Sequence, residues 1–456
     1  VAEPLWTSHE IEQATGGKAD APFWAAGVSI DSRDIVSGDL FVALAGVRDG
    51  HEFAAAAYAK GGSASLVSHP VSGPHLVVPD VLKGLEAMGV AARDRCSAKR
   101  CAVTGSVGKT SVTQAIRAGL VLAGKAHSSV KSYNNHIGVP LTLARMPRDT
   151  ERAVFEIGMN HAGEIEPLSR MVAPDVVVIT TVGPVHTENF PDGETGVAKA
   201  KAEVFAGLKR GGTAILNADN SWFPMLKAEA ERVGAKVLTF GTAEGCDARL
   251  LAFTVGDRAQ VRAELAGEPI TYVLRQTADH WGLTSLCVLL ALHAMDVPHV
   301  TAIKGLSTFE PLEGRGAEYA VGDFTLIDES YNANPISMAS AIRTLGAKPA
   351  KGRRIVALTD MLELGPQAAS FHAGLAKDIE AAGVDLVFCA GPLMKSLWES
   401  LSATRQGGYA GSAVELAPLV AAAVRPGDVV MVKGSNGSAA HLIVSALKAL
   451  SHEDIG

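Results

Sequence analysis

Residues 103–112 read VTGSVGKTSV, a run whose spacing suits the capture of an anion. A phosphate-cradling P-loop is usually written G-x-x-x-x-G-K-[ST]. Counting back from Lys109 puts the first glycine of that pattern at position 103, where this chain has Val103. Gly105, Gly108, Lys109 and Thr110 remain. RCAVTG reads as a strand entering the turn, and SVTQAIRAGLVLAGKA as the helix leaving it. Such a junction presents successive backbone N–H groups and the positive end of a helix to a phosphate. Gly105 and Gly108 let the backbone approach without a Cβ in the way. Lys109 offers a mobile positive charge to the β/γ-phosphates, and the Thr110 hydroxyl can ligate Mg2+. Val103 is therefore expected inside the strand, and the turn is a T-G-x-x-G-K-[TS] variant spanning Thr104, Gly105, Ser106, Val107, Gly108, Lys109, Thr110 and Ser111. The bland alternative is an ordinary Gly-rich βα turn; the order of strand, loop and helix favours phosphate.

Three other residues draw notice. Glu156 lies in the otherwise apolar strand AVFEIGM, where an unpartnered buried carboxylate would be costly; an outward-facing strand residue is the plain alternative. His186 follows a strand end in TVGPVHTENF, and Lys201 lies in the helical run AKAKAEVF. Taken alone, the first is an ordinary loop histidine and the second a solvated lysine.

These groups need elements to position them, and the bulk composition says what kind. The 456 residues are 47% hydrophobic, 20% charged and 5% aromatic, as suits a globular α/β protein of two or three domains. Lys+Arg 41 against Asp+Glu 48 gives a net charge of −7, which argues against nucleic-acid or polybasic membrane binding. Five cysteines without metal or disulfide spacing read as free thiols in a reducing compartment. The opening residues lack a signal-peptide pattern, and Leu283–Met295 is short of the ~20 residues of a membrane span. A cytoplasmic location without membrane insertion is expected.

Pro/Gly-rich breaks at 68–80 and 307–316 divide the chain into segments 1–80, 81–308 and 309–456. The middle segment alternates β-branched runs (153–159, 174–182, 213–218) with helical patterns, predicting a mostly parallel sheet flanked by helices. Residues 247–274 instead alternate like appended antiparallel strands. The last segment repeats the alternation as an open, Rossmann-like doubly wound unit whose crevice lies where the DES, TDM and KGS runs fall.

TGSVGKTS resembles the ATP loop of the Mur ligases and of their folylpolyglutamate synthase relatives. Further stretches match in order along nearly the whole chain: DSRDIVSGDLFVALAGVRDGHEF, YNNHIGVPLTL, EIGMNHAGEI, AKAKAEVF, ESYNANPISM, TDMLELG and VKGS. The resemblance implies an N-terminal UDP-binding domain, a central P-loop ATPase domain and a C-terminal ligase domain. It implies an ATP-dependent ligase that joins D-alanyl-D-alanine to UDP-N-acetylmuramoyl-tripeptide through an acyl phosphate. YNNHIGVP, EIGMNHAGEI and SYNANP carry that choice of substrates; the P-loop alone does not.

By resemblance, two Mg2+ are expected. Thr110 and Lys109 serve the nucleotide, Glu156 and His186 ligate the second metal, and Lys201 is carbamoylated (an N6-carboxylysine) to become an oxygen donor toward it. A depressed amine pKa, which burial produces, is what such a carbamate requires. Arg315 resembles the arginine that reaches the ATP phosphates. Glu329 stands where the family has an aspartate on the ribose, and Asn332 is expected near the nucleotide. Where the family's adenine-side helix begins H-N-x-x-N, this chain has His280, Trp281 and Thr284. Ser32 and Arg33 resemble groups that hold the UDP portion; Asn134, Asn135, Asn160 and His161 resemble groups that hold the muramoyl-peptide. Asn334 belongs to the segment expected to receive the dipeptide. For the asparagines, turn and helix-start chemistry is the plain alternative. A monomer is expected, with a hinge near 307–316.

Overall fold

The β-branched runs assemble into three α/β units in a computed structural model that describes residues 4–130, 132–185, 187–256 and 258–450. The first unit is a five-stranded sheet in the order Lys18–Ala19, His75–Val77, Ala64–Val67, Asp39–Val42, Gly27–Ser29. It is parallel except for the first pair. The Pro/Gly-rich stretch 68–80 thus carries a strand, because His75–Val77 pairs on both sides. Asp80 then caps the helix Val81–Asp94 by accepting from the Lys83 N–H at 3.0 Å. Val81, Leu85, Met88 and Ala92 of this helix pack with the N-terminal strands and with Leu141 and Ala144 of the helix Gly138–Ala144. The first two units therefore share a core.

The central sheet has nine strands. In order they are Glu268–Leu274, Ala259–Leu265, Ala248–Val255, Lys236–Gly241, Thr213–Asn217, Val176–Ile179, Lys99–Thr104, Arg152–Glu156 and Ala126–Ser128. The first three pair antiparallel, as the alternation over 247–274 predicts, and the rest are parallel. The helix Trp281–Ala294 is apolar nearly all round and lies in the core beside the helix Lys109–Ala123, as such a helix must.

The third sheet runs Ala317–Val321, Phe324–Glu329, Val429–Lys433, Arg354–Thr359, Leu386–Ala390, Gln406–Ala410, parallel after its first pair. Helices Pro335–Ala347, Ala368–Ala381 and Lys395–Ser400 cover one face. Helices Ala413–Ala423 and His441–Lys448 cover the other. This is the doubly wound arrangement the sequence predicts, with the last strand inserted beside the second. Among the described residues no helix is long and apolar enough to cross a membrane.

Val103 sits in register with Glu156 on one side and Val178 on the other. It is fully buried among Val112, Ile116 and Val154. The turn begins after it, so a glycine at 103 would only hollow the core. Val103→Gly is expected to lower stability by about 2–4 kcal/mol in urea unfolding, with no gain in nucleotide affinity; tighter binding would show that the glycine belongs to the loop after all.

In the third unit His372 is fully buried. Its Nδ1–H donates to the Ala368 carbonyl (2.7 Å), and its Nε2 accepts from the Met361 N–H (3.0 Å). The ring is thus held neutral; burial lowers its pKa, Asp360 opposing. The unfolded chain takes up this proton below about 6.5 and the folded chain does not. This contribution is therefore complete above that pH and lost as pH falls below it. His372→Gln is expected to cost about 1 kcal/mol at pH 8 and to flatten the stability profile between pH 6.5 and 5, roughly; an unchanged slope would show that the ring does not carry it.

Candidate functional site

The carboxyl ends of the central and third sheets face each other across a cleft of about 430 Å³. The loop after Lys99–Thr104 forms its floor. Gly105 has φ +146°, and a Cβ there would overlap Thr180 Oγ1; Gly108, at φ +83°, faces open space. The neighbouring strand end fastens the turn. Thr180 Oγ1 donates to the Val107 carbonyl (2.5 Å), while Ser106 Oγ donates to the Gly183 carbonyl and accepts from the Gly183 N–H, both at 3.1 Å. Lys109 folds back so that Nζ donates to the Gly105 carbonyl at 2.9 Å. Burial lowers its pKa, and Glu156 pulls the other way.

Glu156 ends the strand Arg152–Glu156 with 1% exposure. It is therefore not an outward-facing strand residue. Its Oε2 accepts from Thr110 Oγ1 and its Oε1 from Asn134 Nδ2, each at 2.7 Å. Its own N–H donates to Ser129 Oγ at 3.1 Å. Ser132 Oγ lies 3.2 Å from Thr110 Oγ1. A buried carboxylate hydrogen-bonded by a hydroxyl and an amide is a set of hard oxygen atoms that suits a divalent cation.

Lys201, on the helix Glu194–Ala202, is 2% exposed, so the solvated-lysine alternative does not hold. Its ammonium makes no hydrogen bond among the described residues. Burial, then Lys109, holds its pKa well below the lysine value, against the pull of Glu203 and Glu156. Glu203 is itself engaged, accepting from the Gly163 and Ile165 N–H groups at 2.7 and 3.1 Å. His186 lies outside the described residues.

From the third unit, the Arg315 guanidinium stacks 3.9 Å over the Tyr331 ring, and Tyr331 Oη donates to Ser132 Oγ at 2.7 Å. Lys433 Nζ donates to Glu329 Oε2 (3.2 Å) and to the Asn332 carbonyl (3.0 Å). Asn160 lines the cleft, and its N–H donates to Glu164 Oε2 at 2.8 Å. His161 is exposed and pairs with Glu164. His280 and Thr284 line the far end, whereas Trp281 is buried against Phe309.

Two asparagines also hold backbone. Asn135 Oδ1 accepts from the Ile137 and Gly138 N–H groups, and Asn334 Oδ1 accepts from the Ser337 N–H, capping the helix Pro335–Ala347. Ser32 and Arg33 follow the strand Gly27–Ser29 of the first unit and do not line the cleft; exposed Arg33 pairs with Asp31. Ser132, Thr180, Tyr331 and Lys433 were not singled out by sequence. Tyr331 and Lys433 sit within the SYNAN and KGS runs, so a crevice-end signal existed for them. Ser132 and Thr180 are plain hydroxyl residues in loops and had none.

The Mur ligase middle domain matches residues 103–281, and the domain described as Mur ligase, glutamate ligase domain, matches 314–436. UDP-N-acetylmuramoyl-tripeptide–D-alanyl-D-alanine ligase of Escherichia coli is 32% identical over 430 residues, 92% of this chain and 93% of that one. The ligase of the same name from Bacillus subtilis is 31% identical over 432 residues, with the same coverage. The solved structure of MurF from Acinetobacter baumannii aligns with a TM-score of 0.87 at 26% identity, over 98% of this chain and 99% of that one. The first matched domain carries the loop and Glu156, the second carries the groups facing them across the cleft, and the full-length likeness adds the first unit: the chain belongs to the Mur ligase family.

Proposed function

We propose that this chain is an ATP-dependent ligase that forms an amide between D-alanyl-D-alanine and the terminal carboxylate of UDP-N-acetylmuramoyl-tripeptide. The product is UDP-N-acetylmuramoyl-pentapeptide, the last cytoplasmic intermediate of the peptidoglycan precursor, with ADP and phosphate released. The observation that carries the reading is the Thr110–Glu156 pair beneath the phosphate loop, in a chain similar over more than nine-tenths of its length to ligases of that name.

The γ-phosphoryl of ATP passes to a carboxylate oxygen, and the amine then attacks the acyl phosphate, expelling phosphate that keeps that oxygen. Two anions must approach in line, so the site has to supply positive charge and fixed dipoles. The loop N–H groups and Lys109 serve the triphosphate, and Arg315 reaches toward it from the third unit. Glu329 and Asn332 flank the ribose. Mg2+ would be held by Thr110 at the nucleotide and by Glu156, His186 and Lys201 at a second site, and would supply positive charge that offsets the repulsion of the two anions. Lys201, whose pKa burial holds well below the lysine value, is suited to add CO2 and, on giving up a proton, become an anionic carbamate. Asn134, Asn135, Asn160 and His161 serve the muramoyl-peptide, Ser32 and Arg33 the UDP portion, and Asn334 the dipeptide side. On this reading the enzyme is a monomer that works in the cytoplasm.

Incubation with ATP, Mg2+, the UDP-tripeptide and D-Ala-D-Ala is expected to give a product heavier by the dipeptide less water, by mass spectrometry. If the peptide carboxylate is labelled with heavy oxygen, one label should emerge in the phosphate; label-free phosphate during turnover rules out the acyl phosphate. A panel of amine acceptors separates this activity from that of a ligase adding a single amino acid. A protein that only binds precursors would release no ADP. Lys201→Ala is expected to lower kcat by about 10³-fold or more, with partial return on adding a short carboxylic acid; no return counts against the carbamate.

A further inference from the structure

The reaction as proposed leaves Tyr331 without a task, yet it joins the third unit to the phosphate-loop side of the cleft. Its hydroxyl donates to Ser132 Oγ at 2.7 Å, across 199 positions of sequence. Because Ser132 accepts there, its own proton is free for Thr110 Oγ1 at 3.2 Å. The Thr110 proton is already committed to Glu156 Oε2 at 2.7 Å. The three hydroxyls thus form a chain with every donor pointing toward one buried carboxylate, and such chains polarise in a consistent sense. The second arm of Tyr331 is its ring, over which the Arg315 guanidinium lies at 3.9 Å. The residue is 38% exposed, so packing alone gives it little to do.

We propose that Tyr331 is a positioning residue: through Ser132 its hydroxyl fixes the direction of the Thr110 hydroxyl, and its ring seats Arg315 for the nucleotide phosphates. This rests on the reading of the cleft as the ATP site. The phosphate-handling groups of the central unit and of the third unit are then set relative to each other by one side chain. Losing the hydroxyl unfixes Thr110 while Arg315 stays seated; losing the ring as well frees Arg315.

The test is steady-state ADP release with both substrates for Tyr331→Phe, Ser132→Ala, the double variant and Tyr331→Leu. Tyr331→Phe and Ser132→Ala are each expected to lower kcat about 5- to 10-fold with KM for ATP within about 2-fold. The double variant should be no worse than either single, because both break the same chain. Tyr331→Leu should in addition raise KM for ATP, and weaken binding of a non-hydrolysable ATP analogue, by about 10-fold. Wild-type kinetics for Tyr331→Phe, or additive losses in the double variant, would overturn the hydroxyl's role. Equal analogue affinity of wild type and Tyr331→Leu would overturn the ring's. A wild-type protein that binds the analogue but never releases ADP would contradict the proposed reaction, while the analogue comparison still decides on Tyr331.

Discussion

A carboxylate sealed in a protein interior is costly unless its oxygens are met, and Glu156 is in that position. At 1% exposure it is held by a hydroxyl and an amide, which satisfy its lone pairs without cancelling its charge. Two lysines close enough to feel it, Lys109 and Lys201, have their own pKa values pushed down by burial. Thr110 supplies a further oxygen beside the carboxylate. Much of the central unit serves this arrangement. The strand Arg152–Glu156 delivers the carboxylate, and the adjoining strand and turn deliver Thr110. The loop before the helix Gly138–Ala144 delivers Asn134, whose neighbour Asn135 pins that loop to the helix.

The same logic explains why two sheets face each other. Parallel sheets expose their carboxyl ends to the ligand crevice, and here the central sheet offers its loop at such an edge while the third offers Glu329 and Lys433. Polar contacts between them among the described residues include Tyr331 to Ser132, Ser340 and Arg343 to Asp279, and Lys348 to Thr277.

The fold was legible because its strands are β-branched runs and its helices follow at regular intervals; even the antiparallel extension over 247–274 showed in its alternation. The exception was 68–80, where proline and glycine suggested a break. Pro70, Pro74 and Pro79 flank the strand His75–Val77 and interrupt none of its pairing. The loop and the buried acid were legible as residue types. Lys201 was not, since an Ala-rich helix with two lysines looks solvated until tertiary packing covers one of them. Ser132 was invisible for a different reason: a serine in a loop acquires meaning only from Tyr331, brought beside it by folding.

Glu329 shows how far a departure from a family pattern can be absorbed. The pattern places an aspartate there, and a glutamate carries its carboxylate one methylene further out. In this chain that carboxylate meets Lys433, whose side chain is 3% exposed at the end of the strand Val429–Lys433. A buried ammonium needs acceptors on more than one side, and Lys433 finds them in Glu329 and in the Asn332 carbonyl. The lysine thus draws two edges of the crevice toward itself, the end of one strand and the turn after it. Only Oε2 of Glu329 is occupied in this way, which leaves Oε1 without a lysine contact. The longer arm is therefore not slack: its reach is taken up by the lysine.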